Sequence, residues 1–171
     1  ISDGIFIKKS PVFKFECNKF CGEENIACKA ARRFFEAART APAAEIKIEK
    51  SIPSSAGLGG GSADAAGVLV GLNALFNTGL SSAELCKIAV TLGADVPFLI
   101  DGGTQRAKGI GEILTPLPHI PKCTFLTVLA GEKPSTGEMF ARLDSLNYPK
   151  PDIEKTARAI SSGSYAELTQ A

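Results

Sequence analysis

The stretch Pro53-Ser54-Ser55-Ala56-Gly57-Leu58-Gly59-Gly60-Gly61-Ser62 carries four glycines among residues 57–61. An Ala-rich apolar run from Ala63 to Phe76 follows and reads as a helix. Glycines leave a backbone free to turn its N–H groups inward. A helix start adds unpaired N–H groups and the positive end of the helix dipole, and the two together hold phosphate. A nucleoside triphosphate is the first ligand this chemistry implies. Two better-known phosphate loops are excluded by the letters. The Walker A pattern ends in Gly-Lys-Ser/Thr, whereas Gly61 runs directly into Ser62 and the loop holds no lysine. The dinucleotide pattern, counted from Gly57 and Gly59, wants glycine or alanine where Ser62 stands.

Taken alone, a glycine cluster can equally be a flexible turn. Its surroundings favour a site. Glu45-Ile46-Lys47-Ile48-Glu49 alternates as a half-buried strand does, and Val68, Leu69, Leu72, Leu75 and Phe76 share a helical face that ends near Gly79. Strand, glycine turn and helix in that order position a ligand. Phosphoryl transfer needs the nucleotide placed, its γ-phosphate neutralised and the acceptor hydroxyl oriented. Main-chain N–H groups of 57–62 serve the phosphates, and Ser62 is a candidate for a phosphate oxygen or for Mg²⁺, which prefers oxygen ligands. Asp95 lies just past an expected helix end and before Pro97, in an otherwise apolar run. A lone loop aspartate is by default a solvated surface group. Asp64 reads as a first-turn residue compensating the helix dipole.

The elements that must position these groups follow in order. Residues 4–18 read as two short strands around Ser10-Pro11. A helix with Glu23 and Glu24 in its first turn runs to about Arg39, and Thr40-Ala41-Pro42 breaks to the strand before the loop. Ser81 and Glu84 form a capping box opening a helix that Gly93 ends. Pro97 is expected to force an extended segment, Phe98–Ile100, with a tight turn at Asp101-Gly102-Gly103. Residues 104–117 read as strand interrupted by Gly109 and Gly111. Cys123–Leu129 reads as an apolar strand, Gly131–Ser135 as a loop and Thr136–Leu143 as a helix. The composition shift at 118–121 marks a boundary between domains 1–118 and 119–171.

Size and composition set the class. With 171 residues, 44% apolar and 22% charged, the chain can bury a core as one domain, or one and part of another. A net charge of +1 gives no ground for nucleic-acid binding, and no apolar run approaches the ~20 residues of a membrane helix. Five cysteines (17, 21, 28, 86 and 123) are scattered and odd in number, and read as free thiols of a reducing compartment ahead of a metal site at Cys17, Cys21 and Cys28. His119, the single histidine, lies in a proline turn and is given no catalytic role.

The loop 53–64 with Ala65-Ala66 resembles the signature loop of the GHMP kinases. A second stretch, Leu92-Gly93-Ala94-Asp95-Val96-Pro97-Phe98, followed by Gly109-Ile110-Gly111-Glu112-Ile113-Leu114, narrows the resemblance. It is to members that phosphorylate the 2-hydroxyl of a cytidine diphosphate-linked methylerythritol in the non-mevalonate isoprenoid route. The likeness runs from about Asp3 to Leu143. It implies an α+β GHMP kinase fold: a ribosomal-S5-domain-2-like nucleotide domain, then the start of a ferredoxin-like C-terminal domain. It implies ATP with Mg²⁺, a small-molecule substrate, no nucleic-acid or membrane partner, and the cytoplasm or plastid stroma as location. Asp95 matches the catalytic aspartate, which also touches substrate. Asn25 and Lys50 match residues beside the nucleotide, joining Pro53, Ala56, Gly57, Leu58, Gly59, Gly60, Gly61 and Ser62. Gly109, Ile110, Gly111 and Phe140 fall where the family lines its cytidine pocket.

The pattern has departures. The family's opening strand, Ala-Lys-x-Asn-Leu, and its Tyr-His pair have no match in residues 1–20, where Lys8 and Lys9 have other neighbours. A later glycine loop would follow Ala171, and Asn18–Gly22 is short for its connection. An interior piece of a longer chain is therefore expected. Other GHMP kinases, of homoserine or mevalonate type, and a nucleotide-binding pseudokinase are the alternative readings.

Overall fold

The glycine loop joins the central strand of a sheet to a helix packed on that sheet. The structure is a computed structural model describing residues 1–54, 56–120, 122, 124, 126–128, 134–146, 148 and 152–170. The first strands are β1 (Gly4–Lys9) and β2 (Lys14–Cys17), then helix α1 (Ile26–Ala38), β3 (Ala44–Glu49) and α2 (Gly60–Phe76). The sheet order is β1-β3-β2, with β1 antiparallel to β3 (Ile5 opposite Ile48) and β2 parallel to it (Phe15 opposite Ile46). Because side chains alternate along a strand, Ala44, Ile46 and Ile48 all face the core and are fully buried. Phe34, Val68, Leu69 and Leu72 meet them from α1 and α2. Phe35 lies edge-on to Phe76 with centroids 5.3 Å apart, a pairing worth about 0.5–1.5 kcal/mol beyond its buried area.

Helix α2 approaches β1 closely because Gly67 and Gly71 have no Cβ. Cβ atoms there would stand 2.6 Å from Ile5 Cδ1 and 2.7 Å from Ile7 Cδ1. Next come α3 (Ser82–Ala89), opened by the Ser81–Glu84 capping box, and α4 (Val96–Asp101). Helix α3 ends at Ala89, earlier than Gly93 suggested, and Val90–Leu92 form turns. The extended segment expected at Phe98–Ile100 is instead part of α4. Pro97 sits in the first turn of that helix, where its missing N–H leaves no intrahelical bond unmade. Glu23 and Glu24 do not lie in the first turn of α1. They precede it and pair with Arg32 and Lys29.

Strands β4 (Thr104–Lys108) and β5 (Ile113–Leu117) form a two-stranded sheet whose turn holds Gly109 and Gly111, both at positive φ. Beyond them lie α5 (Thr136–Asp144), α6 (Ile153–Ser162) and α7 (Tyr165–Leu168). The expected strand Cys123–Leu129 and loop Gly131–Ser135 lie largely outside the described residues. Two compact units emerge: Ile1–Ser54 with Leu58–Gly102 and Ala107–Leu114, and Ser55–Gly57 with Gly103–Arg106 and Thr115–Ala171. No helix among the described residues is long and apolar enough to cross a membrane.

Candidate functional site

The N-terminus of α2 is built as an open donor end. Its N-cap is Gly59, at φ 67°, which supplies no side-chain hydrogen bond. The first backbone bond of the helix runs from Ala63 N–H to the Gly59 carbonyl at 2.9 Å, so Gly60, Gly61 and Ser62 precede it in the turn whose N–H groups lack helical acceptors. Gly57 is also at positive φ, 74°. At these two positions the backbone demands glycine, since other residues enter the left-handed region at a cost of about 1–2 kcal/mol. Leu58, Gly59 and Gly61 are exposed, and Ser62 is half-buried.

The loop is anchored by a buried ion triad. Lys50, one residue past β3, donates through Nζ to Asp64 Oδ2 at 2.7 Å and to Asp3 Oδ2. All three side chains are at least nine-tenths buried, at 8%, 4% and 4% exposure for Lys50, Asp3 and Asp64. Asp3 Oδ1 also accepts the backbone N–H groups of Ser51 (2.5 Å) and Ile52 (2.8 Å). Burial raises the Asp3 carboxyl, but the Lys50 hydrogen bond, the two N–H groups and the Lys50 charge together lower it to about 2. For Asp64, burial is the largest influence and pushes it up, against the opposing pull of Lys50. Burial works to lower Lys50, and its two carboxylate partners outweigh that and raise it. Asp64 is thus a buried ion-pair partner beyond the first turn of α2, not the first-turn, dipole-compensating residue its position suggested. Its register explains this: Asp64, Val68 and Leu72 follow one buried face of α2.

Asn25 is the N-cap of α1. Its Oδ1 accepts the Ala27 N–H at 2.9 Å and its Nδ2 donates to the Phe20 carbonyl at 2.9 Å, so both ends of the amide are engaged. Asn18 Oδ1 accepts the Lys50 N–H at 2.8 Å and fixes the strand end from the other side. Asp95 stands at the N-cap position of α4, exposed, and its side chain makes no capping bond. Ile26 connects these parts. Its Cγ2 lies 3.5 Å from where a Cβ on Gly61 would be, and its Cδ1 lies 3.8 Å from the same point on Gly93. The helix start carrying Asn25 therefore touches both the glycine loop and the turn that leads to Asp95.

Gly111, at φ 113°, packs so tightly on the carbonyl of Ala94 that a Cβ there would collide with it. The hairpin turn Gly109-Ile110-Gly111 thereby meets the residue before Asp95. Ile110 is exposed, and its N–H donates to Glu112 Oε2 at 2.7 Å. Phe140 lies on α5 in the second unit and is exposed. Among the described residues no group of three or more His, Cys, Asp or Glu could hold a metal ion. Sequence reasoning missed Asp3, Asn18 and Ile26, and misread Asp64. An acidic residue in register with an apolar helical stripe was the available signal for Asp64.

Comparison with known proteins decides the family. Residues 25–103 match the model of the GHMP kinases N terminal domain. The chain is 36% identical over 189 residues to a 4-diphosphocytidyl-2-C-methyl-D-erythritol kinase of Persephonella marina, covering 98% of this chain and 69% of that protein. The chain belongs to the GHMP kinase family. A protein of the same name from Symbiobacterium thermophilum is 42% identical over 151 residues, covering 87% of this GHMP kinase chain and 54% of its own length. The chain spans about half the length of the first curated relatives it matches. A crystal structure of 4-(cytidine 5'-diphospho)-2C-methyl-D-erythritol kinase superposes with a TM-score of 0.70 at 34% identity, over 94% of this chain and 59% of that one. Homoserine kinase from Cytophaga hutchinsonii shares the fold, at TM-score 0.68 and 14% identity, over 98% of this chain and 61% of its own. The mixed α+β architecture is that of the GHMP kinases.

Proposed function

We propose that the whole protein is an ATP-dependent kinase that phosphorylates the 2-hydroxyl of 4-diphosphocytidyl-2-C-methyl-D-erythritol, a step of the non-mevalonate isoprenoid route in the cytoplasm. One observation carries this reading: Ile26 packs against both an uncapped, glycine-led helix start and Gly93, in the turn that leads to an exposed Asp95 whose side chain makes no capping bond. The shared name of relatives at 36% and 42% identity supports the choice of acceptor.

In this reading the N–H groups of Gly57–Ser62 hold the ATP phosphates, with Pro53 and Ala56 shaping the loop. Asn25 and Lys50 border the nucleotide, their side chains committed to Ala27, Phe20, Asp3 and Asp64. The acceptor oxygen bonds to the γ-phosphorus as the bond from that phosphorus to the β,γ-bridging oxygen breaks. ADP leaves, and the hydroxyl proton passes to Asp95. Gly109, Ile110 and Gly111 are assigned to the cytidine end of the substrate. Residues 1–118 are assigned to the nucleotide domain and 119–171 to the C-terminal domain.

The residues also fit Mg²⁺. Ser62 offers one half-buried hydroxyl oxygen, while Asp64, two residues on, is held by Lys50. The ion would be held through that Ser62 oxygen, and water would supply further oxygen ligands. When bound with ATP it neutralises phosphate charge. The test is ADP release by the full-length gene product with the cytidine substrate, homoserine and mevalonate offered separately. Turnover with the cytidine substrate alone is expected. Turnover with another acceptor moves the substrate, and ATP binding without turnover on any of them points to a pseudokinase.

A further inference from the structure

We propose that Lys50, Asp3 and Asp64 are positioning residues that set the shape of the phosphate loop from beneath it, and that Lys50 does not itself contact the nucleotide. The inference rests on the nucleotide-binding reading above. Its ground is where the three groups attach. Asp3 grips the backbone at the entry to the loop, through the N–H groups of Ser51 and Ile52. Asp64 lies in α2, just after the exit from the loop. Lys50 Nζ bonds both carboxylates at once and so ties entry to exit.

The loop also rests on this group. A Cβ on Gly60 would stand 2.9 Å from Ile52 Cγ2 and 3.2 Å from Lys50 Nζ, so Gly60 turns its open side toward the ammonium and has no room there for a side chain. Asn18 holds the main chain of Lys50 through its N–H at 2.8 Å and its carbonyl at 3.4 Å, leaving the residue fixed in main chain and side chain alike. The triad is buried and sets two carboxyl groups against one ammonium. Two of the three ammonium donors of Lys50 are held by carboxylates and the side chain is 8% exposed, so reaching out to a phosphate at the open loop mouth would leave both carboxylates without their cation, which is strongly unfavourable. Its chemistry therefore suits holding a shape, not binding an anion.

The two roles predict opposite results for one substitution. Asp3→Asn removes a competing carboxylate. If Lys50 bound phosphate directly, the change would free it and ATP would bind as well or better. If the triad sets loop shape, the Ser51 and Ile52 N–H groups lose a charged acceptor and ATP binds less tightly. The experiment is titration of the full-length protein with MgATP and, separately, with adenosine, for wild type, Asp3→Asn and Asp64→Asn, with melting temperatures recorded alongside. The expected result is a five- to twentyfold rise in Kd for MgATP in both variants, with adenosine affinity within twofold of wild type.

A merely structural loss would shift both ligands together or neither. Where a single variant fails to fold, the neutral triple variant Asp3→Asn/Lys50→Met/Asp64→Leu replaces the whole buried set without stranding a charge, and the same separation of MgATP from adenosine is expected of it. Unchanged or tighter MgATP binding in these variants overturns the positioning role while leaving the kinase reading intact. A wild-type protein that binds no MgATP overturns both.

Discussion

Gly111 lies against the carbonyl of Ala94, close enough that any side chain at 111 would collide with it. The turn of the β4–β5 hairpin is thereby seated on the residue immediately before Asp95. Gly111→Ala adds a Cβ at φ 113°, in a region where a non-glycine residue costs about 1–3 kcal/mol. Because the obstacle is backbone, relief must come from moving the hairpin turn or the Asp95 turn. We expect a lower melting temperature and a kcat/KM reduced at least tenfold, measured by ADP release. Wild-type kinetics in a destabilised variant would separate the turn from the reaction.

Gly59→Val tests the loop itself. Nothing lies within 4 Å of a Cβ there, so the folded core has no clash to relieve and the cost is the positive φ. Stability should fall by about 1–2 kcal/mol, while a branched side chain at the helix mouth blocks phosphate approach. MgATP affinity is expected to drop more than tenfold by calorimetric titration. Retained affinity would remove the loop from the nucleotide site.

The triad gives an acid limb to stability. Asp3 is lowered to about 2 from 3.8, so its stabilising contribution is complete above about pH 4 and is lost as pH falls through about 2. Lys50 is raised, so its contribution is complete below 10.5 and is lost as pH climbs through the higher folded value. Asp64 is raised as well, which favours its protonated form and works against the folded state as pH rises through that value. Melting temperatures of wild type and Asp3→Asn should differ most near pH 6 and converge as pH approaches 2. A gap that stays constant with pH would contradict the assigned state of Asp3.

Much of this arrangement was legible in the residues. Alternation at Glu45–Glu49, the Ser81–Glu84 box and the apolar run after Ser62 each carry a local physical signal, and β3, α3 and α2 form where those signals stand. Pro97 misled because proline bars a helix interior yet suits its first turn, and only the following residues decide which applies. Glu23 and Glu24 misled because charge near a helix start says nothing about the residue at which the helix begins, and Asn25 sets that point by capping. The triad was hidden for a different reason. Asp3 and Lys50 are 47 positions apart, and no local pattern links a residue before the first strand to one after the third. Helices α6 and α7 carried visible caps at Asp152 and Ser164, yet lay beyond the stretch the motifs drew attention to.

Asp95 bears the central claim, and its exposure makes it a clean target because replacing it leaves no buried group without a partner. The most direct measurement is the rate of ADP release by the full-length protein with MgATP and 4-diphosphocytidyl-2-C-methyl-D-erythritol, comparing wild type with Asp95→Asn. The account predicts that kcat falls by about 10²–10⁴, the usual range for losing a general base, with the melting temperature and the Kd for MgATP unchanged. An Asp95→Asn protein that turns over at the wild-type rate would contradict it.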